Sequence, residues 1–98
     1  MKIDIKKSEK ELIIKLTGKL DTSTAPELES ELKGKLEGIN KLIFDFSDLD
    51  YISSAGLRVV LSSMKSVDSD GETILRGAKS NIIEVFELTG LINYLKVE

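Results

Sequence analysis

Short apolar runs alternate with amphipathic segments along most of the chain. In residues 2–7, Ile3 and Ile5 alternate with charged side chains, and a second apolar run at residues 12–16 follows a four-residue polar connection. Alternation of this kind is typical of half-exposed strands, and so short a break favours a hairpin. Residues 41–46 are nearly continuous in apolar side chains, which is expected of a central strand covered on both faces. Residues 47–50 are predicted to form a polar connection after it.

The first predicted helix follows the hairpin. Thr24 and Glu27 have the spacing of a capping box, and Pro26 lies in the first turn, where its missing N–H costs little. The helix is therefore predicted to begin at Thr24 and to stop near Gly38. Its apolar residues recur at the three- and four-residue steps of an amphipathic helix, and they form this predicted core stripe: Ala25, Leu28, Leu32 and Leu36.

Two further helices are predicted. The second begins at Ser53 and Ser54 and continues to about residue 67. Its predicted core stripe is Leu57, Val60, Leu61, Met64 and Val67. The third begins at a second capping box, formed by Asn81 and Glu84, and ends near Gly90.

Short strands at residues 72–76 and 94–97 complete the pattern, which gives the order β-β-α-β-α-β-α-β. Strands that alternate with helices after a hairpin predict a small mixed, largely parallel sheet with right-handed crossovers and helices packed on it. The length allows one core, so residues 1–98 are predicted to form a single α/β domain.

Composition and charge exclude several classes of function. The net charge is −3 and the lysines are scattered among glutamates, which argues against a nucleic-acid-binding protein. No apolar stretch is long enough for a membrane span and no signal peptide is visible, so we expect no membrane association and a cytoplasmic location. The chain has no histidine and no cysteine. Their absence excludes Ser-His-Asp and Cys-His catalysis and most zinc sites.

Four aspartates raise the question of a metal site or an acid–base pair: Asp21, Asp45, Asp48 and Asp50. All of them lie in turn-like or cap-rich stretches, where aspartate is favoured for local reasons, so solvated loop acids are the better interpretation. Neither of the common glycine-rich phosphate-binding motifs occurs. We therefore predict no metal and no cofactor.

The serine pair at residues 53 and 54 has two interpretations. One serine can simply be the N-cap of the second helix, with Gly56 allowing close packing of its first turn. Alternatively, an exposed cap serine is phosphorylated, which adds a charge of about −1.5 to −2 at a helix N-terminus, where an anion is accepted readily. The neighbouring Leu49, Tyr51 and Ile52 are expected to be core residues, unless one of them is exposed and anchors a partner.

Several motifs resemble those of the bacterial anti-sigma factor antagonists of the STAS-domain family. The similarity is strongest in residues 51–57, Tyr-Ile-Ser-Ser-Ala-Gly-Leu, and extends over essentially the whole chain in the right order. The other matching segments are residues 16–21, which resemble the L-x-G-x-L-D turn, residues 42–46 with Leu49, residues 83–86 and residues 89–91.

The resemblance implies a domain that binds an anti-sigma factor with serine kinase activity and thereby releases a sigma factor. Phosphorylation abolishes binding, and a serine phosphatase restores it. Alignment on Gly56 implies that Ser54 is the phosphoacceptor. Many members carry aspartate at the position of Ser53, which makes Ser53 a secondary acceptor candidate. Lys19 also departs from the family, where an acid is common.

The resemblance also implies a partner-binding face, made by the loop after the second strand and by the serine junction. Its residues are Asp21, Thr22, Ser23, Thr24, Asp50, Ser53, Ser54 and Gly56. One alternative is a STAS scaffold or sensor module that binds a protein or a small ligand without phosphorylation. Another is a serine-based enzyme, which the absence of a histidine base disfavours.

Overall fold

The computed structural model describes all 98 residues and contains the predicted succession of strands and helices. The elements are β1 (Lys2–Ser8), β2 (Glu11–Leu20), α1 (Ala25–Leu32), β3 (Lys41–Ile52), α2 (Ser54–Lys65), β4 (Glu72–Arg76), α3 (Ser80–Leu88) and β5 (Lys96–Val97), with a short 3-10 helix at Leu91–Tyr94.

The strands form one mixed sheet in the order β1-β2-β3-β4-β5. β1 pairs with β2 as an antiparallel hairpin, and all other neighbours are parallel. Each parallel crossover advances to the next strand in the same direction, and such crossovers are right-handed, so all three helices lie on the same face of the sheet. The predicted α/β architecture is confirmed.

The hydrophobic core lies between this face and the helices. Leu12, Ile14 and Leu16 of β2 alternate with more exposed residues and are fully buried, as are Leu42, Phe44 and Phe46 of β3. The ring of Phe46 lies 5.4 Å from that of Phe44 and 6.4 Å from that of Phe86 on α3. This aromatic cluster joins the central strand to the last helix.

β3 is longer than predicted. It continues through residues 47–52, and the parallel pairing with β2 extends to Leu20 and Ile52 after two register shifts. The prediction of a polar connection at residues 47–50 is therefore wrong. Leu49 remains fully buried while its polar neighbours face solvent, so the strand keeps one core-facing side to its end.

The first two helices also differ from their predicted patterns. α1 ends at Leu32, and Leu36 lies outside it because Lys33, with ψ of 123°, and Gly34, with φ of +80°, form a turn that leads the chain away. In α2 the buried face is made by Gly56, Val59, Val60 and Ser63, and the predicted stripe is only half-buried apart from Val60.

The chain end is also less extended than predicted. Tyr94 belongs to the 3-10 helix, and the last strand contains only Lys96 and Val97.

Candidate functional site

Two segments meet at one edge of the sheet, the β2–α1 loop and the β3–α2 junction. β2 and β3 are parallel neighbours, so the segments that follow them emerge side by side. The backbone N–H of Ser53 donates to the carbonyl oxygen of Leu20 at 2.9 Å. The sequence-predicted residues 21–24 and 53–54 are thus brought together by the sheet itself.

The β2–α1 loop is organised by Asp21. Its Oδ1 accepts hydrogen bonds from the Ser23 N–H at 3.0 Å, the Ser23 hydroxyl at 2.8 Å and the Thr24 N–H at 3.0 Å. Its carbonyl oxygen accepts from the Ala25 N–H at 2.8 Å. Asp21 therefore satisfies the backbone donors that precede α1, which is the work of a cap residue.

The predicted capping box of Thr24 and Glu27 is wrong. The Thr24 hydroxyl donates to the carbonyl oxygen of Lys19 at 2.8 Å and accepts from the Asp21 N–H at 2.8 Å, so it binds no N–H of the helix. Thr24 instead links the loop to the end of β2. Hydrogen bonds from the Ser23 hydroxyl and then the Thr24 N–H hold the pKa of Asp21 below its usual value. The loop carries a fixed negative charge.

At the β3–α2 junction the two serines have different environments. Ser53 is half-buried and extended, and its Oγ accepts from the Gly56 N–H at 3.2 Å, so Ser53 is the N-cap of α2. Ser54 is the first residue of the helix and is exposed, and its hydroxyl makes no hydrogen bond within the chain. The hydroxyl of Ser54 is therefore open to a reagent or a partner.

Gly56 is buried under this junction. A Cβ at this position would lie 2.7 Å from Cγ of Leu20 and 3.0 Å from its carbonyl oxygen. Only a glycine allows α2 to approach β2 so closely. Gly56 thus presents no surface to a partner, and its position holds the two segments of the site together.

Asp50 connects the site to α3. Its Oδ1 forms a hydrogen-bonded ion pair with Lys79 Nζ, and its carbonyl oxygen accepts from Asn81 Nδ2 at 3.0 Å. The hydrogen bond and the charge of Lys79 hold the pKa of Asp50 below its usual value. The predicted capping box of Asn81 and Glu84 is therefore wrong, because the Asn81 amide bonds to β3 and does not cap α3.

The sequence analysis missed Lys79 and the tertiary role of Asn81. Both contacts join residues about 30 positions apart in the chain, at separations of 29 and 31. No local motif signals them.

Tyr51 is the exposed apolar residue beside the serines. Leu49 and Ile52 are 0% and 5% exposed, whereas Tyr51 is 48% exposed. An exposed aromatic side chain next to a free hydroxyl is the kind of group that anchors protein partners.

The aspartates of this region do not form a metal site. No group of three or more metal-ligating side chains is clustered in the structure. Asp45 accepts hydrogen bonds from the Ser47 N–H and hydroxyl, and Asp48 lies 3.4 Å from Lys15 Nζ. Each carboxylate has its own local partner.

No helix in the structure combines the length and the apolar character needed to cross a membrane.

Comparison with known proteins identifies the fold family. The sequence model of the STAS domain matches residues 2–98. The chain belongs to the STAS-domain family. The resemblance seen in the sequence motifs is thereby confirmed.

Curated proteins that are similar to the chain include proteins named as anti-sigma factor antagonists. A putative anti-sigma factor antagonist, BtrV of Bordetella bronchiseptica, is 38% identical over 99 residues, which cover 99% of this chain and 85% of that protein. An anti-sigma-B factor antagonist of Bacillus subtilis is 27% identical over 96 residues, which cover 97% of this chain and 88% of the relative.

Solved structures of the anti-sigma factor antagonist SpoIIAA share the STAS fold. The unphosphorylated form has a TM-score of 0.79 at 19% identity, and the alignment covers 99% of this chain and 87% of the SpoIIAA chain. The phosphorylated form is described as a Bacillus cell fate determinant and has a TM-score of 0.77 at 21% identity. Its alignment covers 99% of this chain and 91% of the SpoIIAA chain. These similarities show a common fold.

Proposed function

We propose that this STAS domain is a cytoplasmic anti-sigma factor antagonist that is switched off by phosphorylation of Ser54. Its partner is an anti-sigma factor with serine kinase activity, and a serine phosphatase reverses the switch. The names of the curated relatives support the class of function. The assignment of Ser54 as the phosphorylated residue rests on one difference between the two serines. The Ser53 hydroxyl caps α2, whereas the Ser54 hydroxyl makes no hydrogen bond within the chain.

A kinase needs a hydroxyl that can enter its active site without breaking a hydrogen bond within the substrate protein. The Ser53 oxygen accepts the Gly56 N–H, and a phosphate there would have to replace that cap. The Ser54 hydroxyl has no bond to break and is exposed on the first turn. Ser54 is therefore the acceptor, and Ser53 keeps the helix start in place for both states of the switch.

The docking surface surrounds Ser54. Thr22 and Ser23 lie on the adjacent loop, and Tyr51 and Asp50 precede the junction, all of them exposed. Tyr51 supplies apolar area, and the polar residues provide the rim that such interfaces require. Gly56 lies buried beneath this surface and contributes by allowing α2 to pack closely against Leu20.

The phosphate acts on binding and leaves the fold intact. It adds a charge of about −1.5 to −2 at a helix N-terminus, which accommodates anions. The surrounding surface already carries the ionised carboxylates of Asp21 and Asp50. An anion added to this surface opposes docking, because it loses its hydration against an apolar partner surface and is repelled by an acidic one.

The proposal is tested with the anti-sigma factor captured from the native cells and then purified. We expect ATP and this factor to phosphorylate wild-type protein and Ser53→Ala, but not Ser54→Ala, as mapped by mass spectrometry of peptides. In calorimetric titrations, Ser54→Ala keeps its affinity and Ser54→Asp loses about tenfold or more, which corresponds to about 1.4 kcal/mol.

Ser62→Ala is the control and should bind as wild type does, since Ser62 is exposed on α2 outside the docking surface. Phosphate found only on Ser53, or equal affinities of Ser54→Asp and wild type, would contradict the proposed switch. Binding of the anti-sigma factor without any phosphate transfer would instead support the alternative of a STAS scaffold module.

A further inference from the structure

The sheet has a face that no helix covers, which we call the open face. It is formed by alternate residues of the strands, which lie in three rows across β2, β3 and β4. The middle row is Ile13, Ile43 and Ile74, the first flanking row is Lys15, Asp45 and Arg76, and the second flanking row is Glu11, Lys41 and Glu72.

The middle row is apolar, but its side chains expose little surface. Ile43 and Ile74 are each 2% exposed although they lie outside the core cluster, and Ile13 is half-buried. The side chains of the sheet itself therefore cover most of this row. An interaction through the open face must therefore rely mainly on charges, because only Ile13 of this row offers apolar area to a partner.

The two flanking rows have opposite charge patterns. Along each row the sign alternates, which cross-strand pairing within the chain explains, as for Lys41 Nζ and Glu11 Oε1 at 3.9 Å. Across the isoleucines, every one of the three strands carries a base on one side and an acid on the other. Internal pairing does not require this opposition, because the rows lie four residues, or about 13 Å, apart along the strand.

We propose that the open face is a self-association surface on which a second copy of this chain docks face to face, with the twofold axis along the isoleucine row. This axis places each flanking row over the other flanking row of the second copy. Lys15 then faces Glu11 of the second copy, Asp45 faces Lys41, and Arg76 faces Glu72. Every pair occurs twice and joins opposite charges.

The alternative axis, parallel to the strands through β3, gives the reverse result. It would place Asp45 over Asp45 of the second copy and Lys15 over Arg76. The charge pattern therefore selects one arrangement of two copies. In that arrangement Lys6 and Lys96, which end the middle row, each lie over their own counterpart in the second copy. Both are exposed at the outer strands, so their flexible stems can carry the two ammonium groups apart into solvent.

The size of the open face predicts weak association. Five strands about 4.8 Å apart, with side chains over roughly 20 Å of their length, give about 500 Å² per copy. A standard stable interface buries about 800 Å² per partner. Exposed ion pairs are screened by salt, so the association weakens as ionic strength rises. The proposed phosphorylation site lies at the edge of the sheet and stays accessible in the pair.

The test is a charge exchange measured by sedimentation equilibrium at low salt and in about 1 M NaCl, where the Debye length falls to about 3 Å. We expect wild type to self-associate at low salt, with a dissociation constant at least about tenfold higher at 1 M salt. Lys41→Glu and Asp45→Lys should each be monomeric alone, because each brings like charges together. An equimolar mixture of the two should associate again.

The variants on β4, Arg76→Glu and Glu72→Lys, repeat the exchange at independent positions. Glu29→Lys on α1 is the control for net charge, and it should associate as wild type does because Glu29 is exposed on the helix face. Circular dichroism checks that each variant is folded. A wild-type monomer at low salt, salt-independent association, or mixtures that stay monomeric in both exchanges would overturn the proposal.

Discussion

The β2–α1 loop and the β3–α2 junction lie side by side, yet they use their hydroxyls in opposite ways. In the loop, the hydroxyls of Ser23 and Thr24 bond to Asp21 and to the carbonyl oxygen of Lys19. At the junction, the Ser53 hydroxyl completes the cap of α2 and that of Ser54 bonds to nothing in the chain. A loop in which Ser23 and Thr24 are paired therefore lies beside a junction in which the Ser54 hydroxyl is free.

The comparison shows that the role of a serine depends on its partners more than on its position near a helix start. A hydroxyl that satisfies a backbone N–H contributes stability, and its loss is measured in the free energy of unfolding. A hydroxyl without a partner contributes little stability and is free for chemistry. Substitutions at Ser53 should therefore affect mainly stability, whereas substitutions at Ser54 should affect mainly binding.

The largest expected effect comes from breaking the contact that holds the two segments together. Gly56→Val places a branched side chain where a Cβ alone would already lie 2.7 Å from Cγ of Leu20. Overpacking of this kind costs about 1–3 kcal/mol, and we expect a loss of at least about 2 kcal/mol in the free energy of unfolding by urea. Ser62→Ala, on the exposed side of α2, is the control, and an unchanged stability of Gly56→Val would refute the close contact.

An intermediate effect should distinguish the two serines. Ser53→Ala removes the N-cap of α2 and should lower the free energy of unfolding by about 1 kcal/mol. Ser54→Ala should change it by less than about 0.5 kcal/mol, since its hydroxyl has no partner. Parallel urea titrations measure both. Similar losses for the two variants would mean that the cap is shared.

The smallest expected effect is on the pH dependence of stability. The folded-state pKa of Asp21 lies below its usual value of 3.8, so its contribution is complete above that pH and is lost as the pH falls further through the folded-state pKa. The difference in the free energy of unfolding between wild type and Asp21→Asn should therefore shrink from pH 7 to pH 3. Urea titrations across this range measure it. The difference for Thr22→Ala should not vary, and a constant difference for Asp21→Asn would contradict the assignment.

The order of the elements was predictable because the patterns that produce it are local. The alternation in β1 and β2 and the helical spacing in α1 reflect which side chains must reach the core. The pattern failed at residues 47–50, where β3 continues with polar residues that face solvent. Polar residues at the exposed end of a strand have the same composition as a loop.

The site was predictable in place but not in detail. Sequence located Ser53 and Ser54 at a helix start, whereas the assignment of the cap required the geometry of one 3.2 Å bond. Both predicted capping boxes had the right spacing and failed for the same reason. The side chains of Thr24 and Asn81 bond instead to carbonyl oxygens of β2 and β3, and spacing carries no information on such tertiary acceptors.

The strand order also bears on how the chain acquires its structure during synthesis. Each strand of β3 to β5 pairs with the one that precedes it in sequence, and the helix between them packs on the face already formed. Pairing between consecutive strands avoids the longer loop closures that pairing of strands further apart in sequence would need. A chain leaving the ribosome can therefore add one strand and one helix at a time, and no strand edge has to wait for a distant segment.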